Sequence, residues 1–157
     1  MKVLMVCLGN ICRSPLADGL MRKKVVDHGL PVEVDSAGTG DWHVGEAPDP
    51  RMRETAKSKG LSIDGLRGRQ FTMEDFDRFD RIFVMDLSNR ENVLKLARDE
   101  NDEAKVDLLL NLSHPGEDME VPDPYFGGDE GFQHVYQLVD DATDQLINEM
   151  KATYGKG

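Results

Sequence analysis

A chain of 157 residues is long enough to form one domain with its own apolar core, without metal or disulfide support. Its ordinary residue mix, 39% hydrophobic, excludes disordered, collagenous and repeat classes. A formal net charge of −11 disfavours nucleic acid or an anionic membrane as principal partner, although a local cluster of donors can still hold a phosphate. No stretch reaches the roughly 20 apolar residues of a membrane span. The apolar run after Lys2 ends at Leu8, too short for a signal peptide, so a cytoplasmic protein is expected. Cys7 and Cys12 are the two cysteines, too few for a disulfide framework or a zinc site, which leaves reactive chemistry as the economical reading.

Val3-Leu4-Met5-Val6 is an unbroken apolar run, the pattern of a strand buried on both faces. Ser14 and Pro15 predict a helix start, Ser14 as N-cap, with Ala17, Leu20, Met21 and Val25 on one face and Gly29 as the stop. Val32 to Asp35 reads as a second strand running into the turn Ser36-Ala37-Gly38-Thr39-Gly40. Asp49-Pro50 opens a helix that stops near Gly60, and Thr72 to about Phe79 predicts a short one. Arg81 to Met85 is a third strand, and Ser88 to Glu91 has capping-box spacing before a helix through Leu94 and Ala97. The acidic run Asp99 to Glu103 reads as a solvated helix end and loop, followed by a fourth strand from Val106 to Leu110. Phe132, Val135, Tyr136, Val139, Ala142, Leu146, Ile147 and Met150 form one helical stripe. Alternating strands and helices predict an α/β fold, a parallel sheet with helices on both faces, and residues 1–157 as a single domain.

The first strand, the loop Cys7-Leu8-Gly9-Asn10-Ile11-Cys12-Arg13-Ser14 and the first helix form a phosphate cradle. The loop lies at the carboxyl edge of a parallel strand, where open α/β sheets bind ligands, and the helix points its unpaired N–H groups at it. Gly9 and Asn10 tolerate left-handed backbone, which lets successive N–H groups turn inward around an anion. Arg13 supplies a fork matched to two phosphate oxygens, and Cys7 sits at the mouth of this positive well as a nucleophile. Ser14 can donate its hydroxyl to the sulfur. Without Arg13 and Ser14, Cys7 would read as a small buried residue ending a strand. The nucleotide-binding pattern Gly-x-x-x-x-Gly-Lys-Ser/Thr is not present.

With these residues the chain resembles the low-molecular-weight protein tyrosine phosphatases. Ser36-Ala37-Gly38-Thr39, Asp41-Trp42, Arg69-Gln70, Met85-Asp86 and Asp123-Pro124-Tyr125 extend the resemblance over nearly the whole sequence. It implies a doubly wound, mostly parallel four-stranded sheet with an N-terminal phosphate-binding loop. It implies a phosphocysteine on Cys7, phosphate bound by Arg13 and the backbone of residues 8 to 13, and Asp123 as general acid and then base. No metal or organic cofactor is implied. Trp42 and Tyr125 read either as edge-of-core anchors or as walls of a substrate cleft, and the resemblance favours the cleft. Ile11 adds an apolar wall. Ser14 and Ser36 are placed by the resemblance in a network holding Asn10, in which Leu66 stands where many members have histidine.

Cys12 is either a small packed residue under the cradle or a thiol that traps oxidised Cys7 as a disulfide. His28, His43, His114 and His134 have no ligand spacing and read as surface or capping residues. The expected substrate is a phosphotyrosine-containing protein, such as a tyrosine kinase, or a small aryl phosphate, hydrolysed by a monomer or weak homodimer. Rival readings on the same scaffold are an arsenate reductase, a phosphoarginine phosphatase and a non-catalytic phosphotyrosine-binding module. The first lacks further cysteines, Ile11 disfavours the second, and the retention of Cys7, Arg13 and Asp123 disfavours the third.

Overall fold

The computed structural model describes residues 1–124 and 129–155. Strand β1 (Lys2–Cys7) alternates its side chains across the sheet, so Val3 and Met5 enter one core while Leu4 and Val6 enter the other. It pairs in parallel with β2 (Glu33–Gly38) and β3 (Arg81–Val84), and β3 pairs in parallel with β4 (Val106–Leu108). The order β2-β1-β3-β4 makes β1 an interior strand, which is why its sequence is apolar without alternation. All pairings are parallel, a tighter outcome than the mostly parallel sheet expected.

Helices cover both faces. On one, α1 (Arg13–Asp27), α2 (Pro50–Ser58) and α6 (Asp129–Thr153) bring Leu16, Met52 and Phe132 against Met5 and Phe83. On the other, Phe76 of α3 (Asp75–Arg78) and Val93 of α4 (Leu87–Leu94) pack on Leu4, Ile82 and Val84. Because β2 and β3 lie on opposite sides of β1, the chain winding reverses there. The loop after β1 therefore opens into the crevice at this switch point. Among the described residues no helix is long and apolar enough to cross a membrane.

Several local boundaries differ from the sequence reading. Helix α1 begins at Arg13 with Cys12 in the cap position, so Ser14 lies inside the first turn and its hydroxyl turns across the loop. Helix α4 is capped by Asp86, whose Oδ1 accepts from Asn89 N at 2.7 Å, and Ser88 is within the helix. The acidic run forms a short helix, α5 (Glu100–Ala104), capped by Asp99, with its carboxylates at the positive end of the dipole. Strand β4 ends at Leu108, and Leu109–Asn111 make a 3₁₀ turn instead of extending it.

The segment between α2 and α3 is fastened to β2 by one guanidinium. Arg69 pairs with Asp35 of β2 at 3.1 Å and forks onto both oxygens of Asp75 at 3.0 and 3.1 Å. Asp75 is fully buried and also accepts from Thr72 N at 2.9 Å. Removing this carboxylate leaves a half-buried cation and a backbone donor without their partner. Asp75→Ala is expected to destabilise the fold by about 2–4 kcal/mol in urea unfolding. A loss below about 0.5 kcal/mol, the usual scale of an ordinary surface change, would show that Arg69 is held by Asp35 alone.

Candidate active site

Cys7 ends β1 and Arg13 begins α1, so residues 8–12 must reverse direction between the sheet edge and the helix. The outer side of this loop is pinned. Cys7 O and Leu8 O each accept at 2.9 Å, from Thr39 N and Gly40 N, and Ile11 O accepts from Asp49 N at 2.8 Å. In a trans peptide the N–H opposes the C=O, so these bonds turn the N–H groups of Leu8, Gly9 and Cys12 toward the interior of the loop. The close approach requires glycine at 38, where a Cβ would sit 2.8 Å from Leu8 O. Asn10 completes the turn with φ 55°, the left-handed region that asparagine tolerates.

The sulfur of Cys7 is surrounded by donors. Asn10 N donates to Sγ at 3.2 Å, and the Ser14 hydroxyl lies 3.0 Å from it. The same hydroxyl is 2.7 Å from the Asn10 side-chain oxygen, while Asn10 Nδ2 has no partner. A serine has one proton to give. With the Asn10 amide turned over, Nδ2 donates to Ser14 and Ser14 donates to sulfur, a relay that suits a thiolate. Ser36, expected in the same network, is buried, and its hydroxyl favours the ionised form of Asp18. Leu66 is half-buried against the core.

Arg13 faces the loop with 2% of its surface exposed. Its Nη1 donates to Asp86 Oδ2 at 2.7 Å and to Val121 O at 3.0 Å, and its Nη2 lies 3.8 Å from Asp123 Oδ2. Burial works against the guanidinium charge, but Cys7 and the hydrogen-bonded Asp86 more than offset it, so Arg13 stays protonated. Asp86 thus caps α4 with one oxygen and anchors Arg13 with the other. The sequence reading quoted Asp86 within a motif without giving it this task. Its position directly after β3, at the ligand-binding edge of the sheet, was the available signal.

Cys7, Gly9, Ile11, Arg13, Trp42 and Asp123 line a cavity of about 180 Å³, completed by Leu8, Cys12 and His43. A cavity of roughly 150 Å³ holds benzene, so an aryl ring fits above the loop. Trp42 remains 67% exposed with its ring laid on Gly40, where a Cβ would come within 2.0 Å of the indole. His43, read as surface or capping, is half-buried and also forms part of the cleft wall. Its ring approaches Gly9, and its Nδ1 lies 2.7 Å from Glu46 Oε2. A single histidine in a loop carries no periodic signal that could have shown this. Tyr125 lies outside the described residues.

Both cysteines of the site are free and buried. Burial, reinforced by Asp49, pushes the Cys12 thiol far above its ordinary range, so Cys12 stays protonated and unreactive.

This arrangement agrees with what comparison finds. A model of the family described as low molecular weight phosphotyrosine protein phosphatase matches residues 2–155. The chain belongs to this family. It is 46% identical over 143 residues to the low molecular weight phosphotyrosine protein phosphatase of Schizosaccharomyces pombe, covering 88% of this chain and 90% of that one. A protein tyrosine phosphatase of Entamoeba histolytica, solved with Hepes in its active site, superposes with a TM-score of 0.89 at 40% identity, covering 100% and 99% of the two chains. A drosophila arginine phosphatase superposes with a TM-score of 0.88 at 35% identity, covering 96% and 98%. Family membership makes the chain a phosphatase by kinship. The likeness to both solved proteins leaves the acceptor group of the substrate to be decided by the cleft.

Brief iodoacetate treatment at neutral pH should alkylate Cys7 and spare Cys12, as read by peptide mass spectrometry of the folded protein. Equal labelling of Cys12 would contradict the elevated thiol described above.

Proposed function

We propose that this protein hydrolyses phosphotyrosine through a phosphocysteine on Cys7. The observation that carries the reading is the Cys7 sulfur ringed by the Asn10 N–H and the Ser14 hydroxyl, with buried Arg13 and Asp123 bordering one apolar-walled cavity. The phosphoryl group lies in the loop, its equatorial oxygens held by the N–H groups of residues 8 to 13 and by Arg13. Cys7 attacks phosphorus in line, the bond to the phenolic oxygen breaks, and Asp123 gives its proton to that oxygen. Asp123, now ionised, takes a proton from water attacking the phosphocysteine. The sulfur leaves as thiolate, stabilised by Ser14, and inorganic phosphate departs. Every step uses this chain's own groups and water.

Phosphotyrosine is favoured over phosphoserine by reach, because a serine side chain is too short to bring its phosphate to Cys7 while the peptide stays above the rim. It is favoured over phosphoarginine by the wall. Leu8, Ile11 and Trp42 offer apolar and aromatic surface, and Asp123 is the one carboxylate among the described lining residues. A substrate protein bearing phosphotyrosine, such as a tyrosine kinase, follows from this reading.

The test is hydrolysis of p-nitrophenyl phosphate and of phosphotyrosine, phosphoserine and phosphoarginine peptides, with Cys7→Ser as control. Turnover confined to the aryl phosphates and lost in Cys7→Ser is expected, with Asp123→Asn slowing the phosphotyrosine peptide by about 10²–10⁴ in kcat. Preference for phosphoarginine would keep the mechanism and overturn the wall reading. Tight phosphotyrosine binding without turnover would make the loop a reader.

Asp86→Asn separates two tasks of one side chain. Asparagine caps a helix as well as aspartate, so α4 should persist, while the uncompensated charge of buried Arg13 should lower unfolding stability by about 1–3 kcal/mol. Arg13 loses its charged anchor, so kcat should fall about tenfold or more. An unchanged kcat would show that Val121 O suffices to aim the guanidinium.

A further inference from the structure

A second cavity, of about 320 Å³, lies beyond Trp42 and shares Leu8 and Trp42 with the catalytic cleft. Its floor is the end of the sheet. Gly38 bridges to Gln70 and accepts from Phe71 N, and the Gln70 amide donates to Thr39 O. The far wall is half-buried Asn92 in the last turn of α4 and the exposed Lys95 and Leu96 just past its end. Leu8 and Trp42, the latter seated on Gly40, form the partition that the two cavities share.

Lys95 is what gives this notch a ligand chemistry. Among the described residues no carboxylate lies within ion-pair distance of its ammonium, although the chain carries 30 acidic residues against 19 basic ones. Lys24, by contrast, pairs with Asp140 and Asp144, and Arg81 with Glu149. Here an unpaired cation stands above apolar surface from Leu8, Leu96 and Trp42. A glutamate side chain is complementary to both parts, its methylene stem on the apolar surface and its carboxylate on the ammonium.

We propose that this notch is a specificity subsite that takes an acidic side chain of the substrate peptide, two residues away from the phosphotyrosine. The proposal rests on the phosphotyrosine reading above and deepens it. Its spacing follows from the partition. Occupants of two cavities that share Leu8 and Trp42 as a common wall are separated by one side chain, about 7 Å or twice the ordinary contact distance. Side chains two positions apart in an extended peptide point the same way and are separated by about 6.6 Å. A phosphotyrosine in the cleft therefore carries the second residue along into the notch. On a surface that is acidic overall, the Lys95 ammonium beside the cleft gives an acidic flank a favourable contact.

The experiment compares kcat/KM for phosphotyrosine peptides with Glu, Gln or Lys two positions before or after the phosphotyrosine, using wild type and Lys95→Glu. Wild type should favour Glu over Gln by about two- to fivefold on one side of the phosphotyrosine, the scale of a half-exposed ion pair. Added salt should weaken the preference. Lys95→Glu should invert it in favour of Lys while leaving p-nitrophenyl phosphate turnover unchanged, since Lys95 lines the notch and not the cleft. Loss of all peptide turnover with p-nitrophenyl phosphate hydrolysis retained in wild type would sink the phosphotyrosine reading itself. Peptide turnover with no Glu preference, or with one that survives Lys95→Glu, would overturn the subsite alone.

Discussion

Arg13 is a cation buried almost completely in a protein whose net charge is −11. A guanidinium in that position needs fixed partners, because removing either side of a buried ion pair leaves a charge without compensation. Asp86 and Val121 O supply them from two separate parts of the chain. They hold Arg13 at the carboxyl edge of the sheet, between the end of β3 and the segment leading to Asp123. The site's other features depend on that fixed charge, including the sulfur at the end of β1, the first turn of α1 and the carboxylate at the cleft wall.

The loop and the sheet explain each other. A phosphate cradle needs inward N–H groups, and inward N–H groups need their carbonyls bonded elsewhere. Thr39, Gly40 and Asp49 provide those outward bonds, and the parallel register that places Cys7 beside Gly38 brings Thr39 and Gly40 within reach. The local field made by these dipoles and Arg13 acts over a few ångströms, whereas the acidic surface acts on approaching partners from farther away. An acidic protein can therefore bind a dianion in its cleft while selecting against most acidic surfaces outside it.

Much of this was legible in the sequence because it is local. The apolar run of β1, the Gly9-Asn10 turn and the Arg13-Ser14 pair lie within one short segment whose chemistry is readable residue by residue. Alternation of strands and helices was enough for a parallel sheet covered on both faces. The errors arose where a side chain chose a distant partner over a local one. Ser14 had the sequence context of an N-cap but bonds across the loop to Asn10 and Cys7, and Asp86 took the capping task assigned to Ser88. The placement of His43 over Gly9 depends on tertiary approach, which no periodicity encodes.

Trp42 is the single tryptophan of the chain, and it stands at the boundary of two cavities with most of its indole in water. Its emission is therefore not averaged with that of other indoles buried in the core. An occupant on either side changes the solvation of this one ring. The protein carries a built-in optical reporter of its own cleft, readable without a label or a coupled reaction, and an intensity change in a Cys7→Ser variant records docking separated from chemistry.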